Sequence, residues 1–367
     1  MFVLLYHHFD VFMPGNAAGA IINHGYLAVD FFFILSGYVI GYAYDDRWDR
    51  MGHGEFLKRR VIRLHPLIVL STVLGIMLFY FGISEMFPLI KDTGAWKLLW
   101  YGVLAIFMIP TPTSIDIRGW DEMNAINGNA WTLFFEYIAY ILYAFAVRRL
   151  SNFWLCLFVG LTSFLTINLA FDIDIFGILG ERAGQSHTVI GGWTLNAEGV
   201  LIGFSRLLFP FFAGLLLARM GWKIRIRNGF FWCSLFLSAL LVLPRVSSEP
   251  FWNGIYEAAC IILLFPLLVM MGAGSTVSGS GEKVCKFLGD ISYPLYILQY
   301  PVVYTLLGGW KCAHPDATTD QIILVNVSCF LLSVAIAYGC LRLYDEPLRR
   351  KLSQHWLKRR GNRTQTK

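Results

Sequence analysis

The sequence predicts an all-α fold: a polytopic transmembrane helix bundle of about ten crossings, with one further short segment that re-enters the membrane or lies on it. Three observations carry this. Of 367 residues, 56% are hydrophobic and only 15% are charged, whereas a soluble domain carries about a quarter charged. Apolar runs recur along the whole chain. The 30 Lys and Arg, which give a net charge of +6, are spread over the short loops between those runs. That spread is a topological signal, and it argues against nucleic acid as a partner. The lipid bilayer is the partner it implies.

The apolar segments fall at 1–13, 26–44, 64–84, 97–110, 130–147, 152–171, 205–221, 229–244, 254–273, 288–308 and 321–343. A crossing helix needs about 20 such residues. The first segment, MFVLLYHHFDVFM, meets two histidines after a few apolar residues and is expected to lack its opening turns. The second has spanning length and carries Asp30. The third follows FLKRRVIRLHP, which packs Lys58, Arg59, Arg60 and Arg63 against its start. Segment 97–110 is short and runs into IPTPTS, where proline opposes helix continuation. With the first helix running outward, leaving 97–110 uncrossed places most Lys and Arg inside, as the positive-inside rule requires. Both termini are then cytoplasmic, and loops 111–129 and 172–204 face outward. The 288–308 helix holds Pro294 and Pro301, which mark a kinked, water-lined segment. Residues 1–348 read as one membrane domain and 349–367 as a basic cytoplasmic tail. The seven cysteines are odd in number, lack a CxxC pair and lie mostly in apolar runs, so they read as small buried hydrophobes rather than disulfides or metal ligands. No metal is expected.

The chemistry concentrates in a few polar residues inside apolar surroundings. Asp30 shares a helix face with Gly37 and Gly41, a small-residue pair that admits a close neighbouring helix. It points into the bundle, or else meets interfacial water near the helix end. His7 can exchange a proton near neutral pH, or can serve as a hydrogen-bonded packing residue. Thr132, Glu136, Tyr140 and Tyr143 follow helical spacing and form a polar stripe in which Glu136 needs a partner. Arg59, Arg60 and Arg63 can set orientation, bind an anion, or do both. Counting about 1.5 Å per residue from helix ends near Pro14, Tyr26 and Ala130 puts His7 about 10 Å deep, with Asp30 and Glu136 at similar depth and the arginines on the opposite side.

Five stretches resemble the acyltransferase-3 family of integral-membrane acyltransferases. They are LLYHHF, GYLAVDFFFILSGYVI, FLKRRVIRLHP, NAWTLFFEY, and FLGDISYPLYILQYP followed by YDEPLRR. The resemblance covers essentially the whole chain. It implies transfer of an acyl group, usually acetyl from acetyl-CoA, to a hydroxyl of a sugar-containing envelope or secreted molecule. His7 matches the family's essential histidine, Arg59, Arg60 and Arg63 match arginines associated with the donor's phosphates, and Glu136 matches its glutamate. Gln299 stands where many relatives have histidine. Ser36, Trp131, Thr132, Tyr140, Tyr293 and Gln299 are the candidate pocket-lining residues, and a bacterial cytoplasmic membrane is the expected location.

In the scheme these readings compose, acyl-CoA enters from the cytoplasm and the arginines hold its phosphates. His7 takes the proton of the attacking hydroxyl, and Asp30 or Glu136 orients His7. An acyl-enzyme route stays open. The rival reading is a proton-coupled transporter or flippase for a glycan or small acid, in which the same residues form a proton relay. Transporters often carry internal repeats, and none stands out here. The topology is directly testable. Single cysteines at Gly94 and Ser114, in a background without native cysteines, should both react with an impermeant maleimide in intact cells. Labelling of only one would show that 97–110 crosses.

Overall fold

The computed structural model describes residues 1–13, 22–82, 86–180, 185–246 and 248–357. Pro14, from which the depth of His7 is counted, and residues 358–367 of the expected tail lie outside the described residues. Thirteen α-helices follow in order: α1 Phe2–Phe12, α2 Ala28–Tyr44, α3 His53–Phe81, α4 Ala95–Ile106, α5 Ala130–Phe145, α6 Asn152–Ala170, α7 Ala197–Met220, α8 Gly229–Val242, α9 Phe251–Ala259, α10 Phe265–Gly274, α11 Ser280–Ala313, α12 Thr319–Cys340 and α13 Glu346–Leu357. Single π-helical turns, Cys260–Leu264 and Leu341–Asp345, fuse α9 to α10 and α12 to α13. No strand occurs among the described residues, so the bundle is all-α.

Among the described residues, seven helical stretches are long and apolar enough to cross a membrane. They comprise α2, α3, α5, α6, α7, the fused α9–α10 and the fused α12–α13. The chain is therefore an integral membrane protein. The sequence expectation of ten crossings adds α1, α8 and α11 to these seven. Helix α4 has 12 residues and rises about 18 Å, short of the roughly 30 Å hydrocarbon core. The chain after it folds back, because the Tyr101 hydroxyl donates to the Ile115 carbonyl at 2.7 Å.

Two local devices set the interior. The first joins α2 to α7. A Cβ on Gly37 would overlap the Phe211 backbone, and one on Gly214 would overlap the Ile34 backbone. Each glycine thus lets the other helix's main chain approach where any side chain would hold it off. On the same pair of helices, Arg206 grips Asp30 with two nitrogens, Nε at 3.2 Å and Nη2 at 2.7 Å. The second device is Pro301 in α11. Lacking an N–H, it leaves the Ile297 carbonyl one turn back without its helical donor. Asn127 Nδ2 supplies that donor at 2.7 Å, which pins the turn before α5 against α11.

The glycine contact predicts a stability difference. Gly37→Leu should force α2 from α7 and cost about 1–3 kcal/mol or more. Gly160→Leu, where a Cβ meets only open space, should leave stability near the parental value. Thermal unfolding of both variants in detergent checks this; equal melting temperatures would refute the close approach.

Candidate functional site

A cavity of about 520 Å³ opens among the start of α2, the turn before α5, α7, α11 and the loops around 120 and 190. His7, Asp10, Trp120, Glu122, Asn129, Trp131, Trp193, Arg206, Arg245, Tyr296, Tyr300 and Tyr304 are among the residues that line it. His7 stands in its wall with both ring nitrogens engaged. Nδ1 lies 2.9 Å from the Tyr304 hydroxyl and Nε2 lies 3.0 Å from Asn129 Oδ1. The Tyr304 hydroxyl in turn donates to Asp10 Oδ2 at 2.7 Å. Helical spacing explains why α11 can do this. Tyr293, Tyr296, Tyr300 and Tyr304 recur every three or four residues and so share one face, which they turn to α3, α5 and α1.

The two carboxylates expected to orient His7 are placed elsewhere, each for a clear reason. Asp30 is fully buried and needs a full-charge partner, which Arg206 provides; it does not line the cavity. The same guanidinium also donates to the Tyr26 and Gly191 carbonyls at 2.7 and 3.0 Å. Glu136 sits deeper along α5. Its Oε1 accepts from Ser36 at 2.6 Å and from Tyr140 at 2.5 Å. Ser36 is halfway along α2, so Glu136 lies about midway between the two ends of that helix. The hydrogen-bond partners of His7 are Tyr304 and Asn129, neither of them a carboxylate.

A second cavity, of about 570 Å³, lies beside the other end of α2. Val29 lines the first and Tyr44 the second, and 15 residues of helix separate them by about 22 Å. Arg59 and Arg63 line this second cavity, joined by Arg349, Arg350 and Glu346 from α13. Arg59 pairs with Glu55 at 2.7 Å, Arg349 with Asp345 at 2.9 Å, and Glu346 with Arg342 at 2.8 Å. Arg63 makes no hydrogen bond or ion pair to another described residue, although the Asp345 carboxylate is near enough to act on its charge. Arg60 turns inward instead. It donates to the Tyr44 hydroxyl and lies over the rings of Tyr44 and Tyr140, at 4.7 and 5.7 Å from their centroids.

The remaining candidates divide. Trp131 lines the first cavity, under the Arg206 guanidinium at 5.3 Å. Thr132 shares a 2.7 Å hydrogen bond with Tyr296. Ser36 and Tyr140 hold Glu136, and Tyr293 donates to the Leu64 carbonyl at 2.6 Å. Gln299 is buried, does not line either cavity, and neither atom of its amide has a hydrogen bond among the described residues. Sequence reasoning passed over Arg206, Asp10, Asn129, Tyr300, Tyr304 and the pair Arg245–Glu257. Arg206 carried a signal, since a cation inside the 205–221 apolar run needs a buried anion. Glu257 carried the same signal in 254–273. It is fully buried, pairs with Arg245 at 3.0 Å and accepts from Tyr26 at 2.5 Å.

Residues 1–342 match the family model described as an acyltransferase domain. The chain is 25% identical over 305 residues to an O-acetyl transferase of Shigella phage Sf6, covering 82% of this chain and 81% of that protein. It is 26% identical over 363 residues to the acyltransferase MdmB of Streptomyces mycarofaciens, covering 90% and 84%. It is 32% identical over 151 residues to protein 2 in the picA locus of Rhizobium radiobacter, covering 38% and 73%. No solved structure matches it. With a family model spanning nearly the whole chain and an all-helical membrane bundle beneath it, the chain belongs to the acyltransferase-3 family and is an acyltransferase.

Proposed function

We propose that this protein transfers an acyl group, acetyl in the first instance, from acyl-CoA to a hydroxyl of a sugar-containing envelope, exported or secreted molecule. The observation that carries the reading is the placement of His7. A group able to take a hydroxyl proton stands in the wall of a cavity that is large enough for a sugar ring and lined by three tryptophans. Tryptophan faces suit the C–H faces of a sugar, and Arg206, Arg245 and Glu122 offer polar contacts to its hydroxyls. The Shigella phage relative, named for O-acetyl transfer, supports oxygen as the acceptor atom and acetyl as the group.

The donor belongs at the other cavity. Arg63 and Arg350 present guanidinium groups that match phosphate oxygens, while Arg59 and Arg349 add charge beside them. Between the two cavities runs the polar stripe of Tyr140, Glu136, Thr132 and Asn129 along α5, faced by Ser36 and Tyr296. It offers hydrogen-bonding groups to the amides of an extended pantetheine arm directed at His7. Glu136 has one oxygen, Oε1, committed to Ser36 and Tyr140, which leaves Oε2 for that arm. The cytoplasm, where acyl-CoA is made, would then lie on the arginine side.

Two experiments test this. Purified protein incubated with radiolabelled acetyl-CoA and a hydroxyl acceptor should transfer label, and His7→Gln should lower the rate by about a hundredfold to ten-thousandfold while acyl-CoA still binds. His8 is held away from the cavity by Asn326 at 2.9 Å, so His8→Gln should keep most activity. A His7→Gln protein working near the parental rate would remove the base assignment.

On the donor side, Arg63→Ala should weaken acyl-CoA binding by about 10- to 150-fold, the value of one charged hydrogen bond at about 1.5–3 kcal/mol. Arg63→Lys should recover part of it, because the charge returns without the fork. Titration calorimetry with acetyl-CoA measures both; unchanged affinity in Arg63→Ala would leave the arginines as topology signals.

A further inference from the structure

The hydrogen-bond chain through His7 has more contacts than fixed protons. Three contacts join four residues: Asp10 to Tyr304, Tyr304 to His7 Nδ1, and His7 Nε2 to Asn129. The Asn129 amide is oriented, since its Nδ2 donates to the Tyr296 carbonyl at 2.9 Å. The atom facing His7 is therefore an oxygen that can only accept, and Nε2 carries the proton. A neutral imidazole then has a bare Nδ1. Tyr304 owns one proton and has two neighbours that want it. A hydrogen bond to an ionised acceptor is roughly twice as strong as one to a neutral acceptor, so the proton goes to the Asp10 carboxylate. A lone pair on Nδ1 is left facing the tyrosine oxygen, in the wall of the cavity.

One added proton resolves this. Placed on Nδ1, it lets the imidazolium donate to Tyr304 while Tyr304 continues to donate to Asp10. All three contacts are then filled, and the new positive charge is linked to a carboxylate through a single hydroxyl. The other charged groups nearby are committed elsewhere. Glu122 takes the Tyr300 hydroxyl at 2.6 Å and pairs with Arg118. Arg206 is held by Asp30, and Arg245 by Glu257. Lys311 donates to the Val11 carbonyl at 2.8 Å, and His8 bonds Asn326.

We propose that His7 Nδ1 takes the acceptor's proton through the Tyr304 hydroxyl that faces it, and that Asp10 is a positioning residue that stabilises the imidazolium so formed. This rests on the acyl-transfer reading above. The acceptor oxygen bonds to the thioester carbonyl carbon as its proton passes to the Tyr304 oxygen, which lines the cavity, while Tyr304 hands its own proton to Nδ1. The carbon–sulfur bond then breaks, and the proton on Nδ1 returns to Tyr304 as the tyrosine gives a proton to the sulfur, leaving free CoA thiol. Tyr304 and Asp10 end the cycle as they began it. Asn129 fixes the tautomer that leaves Nδ1 bare.

The test compares Asp10→Asn, Tyr304→Phe and their double variant with the parent, all in the intact protein, with acetyl-CoA binding as the control for folding. Each single variant should lose a hundredfold or more in the rate of transfer, and the double variant should lose little beyond either single, since they act as one unit. In Asp10→Asn the acid limb of the pH–rate profile should move to lower pH, because the negative charge favouring the imidazolium is gone. A purely structural role would lower the rate without moving that limb. If Asp10→Asn keeps the parental rate and limb while His7→Gln is inactive, the relay is overturned and the base assignment stands. If His7→Gln is also active, both fall.

Discussion

The buried pair of Asp30 and Arg206 is the constraint on which the cavity end of the molecule depends. Both side chains are essentially inaccessible, and a charge in that position left without its partner would cost about 3–5 kcal/mol. An apolar pair of equal volume could hold α2 against α7 about as firmly, so net stability does not explain the choice. The guanidinium does what an apolar side chain cannot. It fixes the register of two helices that glycine has already brought into main-chain contact, and it ties the Tyr26 and Gly191 carbonyls to the same point. The entry to α2 and the loop around 191 are thereby fastened to α7, and both flank the cavity that His7 faces.

That arrangement separates the polar work of the bundle into two ends. At one, carboxylates outnumber what the arginines need. Asp30 and Glu257 consume Arg206 and Arg245, Glu122 consumes Arg118, and Asp10 is left to a tyrosine. At the other, Arg59 pairs with Glu55 and Arg349 with Asp345, Glu346 is taken by Arg342, and Arg63 and Arg350 line the cavity without an ion pair among the described residues. An end with spare cations suits a polyanionic donor, and an end whose cations are neutralised suits an uncharged hydroxyl compound. The same division makes a symmetrical transport path less natural, since one substrate would have to suit both ends.

The all-helical class, the intramembrane placement of Asp30 and the stripe on α5 were legible in the sequence, because each is a local pattern. Periodicity shows which residues share a face, and an acid in an apolar run announces itself. Partners were not legible in the same way. Asp30 finds Arg206 across 176 residues and His7 finds Tyr304 across 297, and no periodicity relates positions so far apart. Depth counting placed Asp30 and Glu136 near the level of His7 but carried no azimuth. Depth alone therefore made them neighbours of a histidine whose hydrogen bonds go elsewhere. The arginine run illustrates the same limit within six residues. Arg60 and Arg63 are adjacent in any count of charge, yet one turns to Tyr44 inside the bundle while the other faces the cavity.

Proline supplies the last link between chain and site. Pro301 would be destabilising in a soluble helix, and in a membrane the carbonyl it exposes must find a donor. Asn127 meets that demand at Ile297, and Asn129, two residues on, bonds the next carbonyl back, Tyr296. The turn before α5 is thus shaped by a defect in α11. Because Asn129 uses its nitrogen on that carbonyl, its oxygen is what remains for His7. The tautomer of the histidine therefore follows, through two side-chain amides, from an N–H that Pro301 lacks.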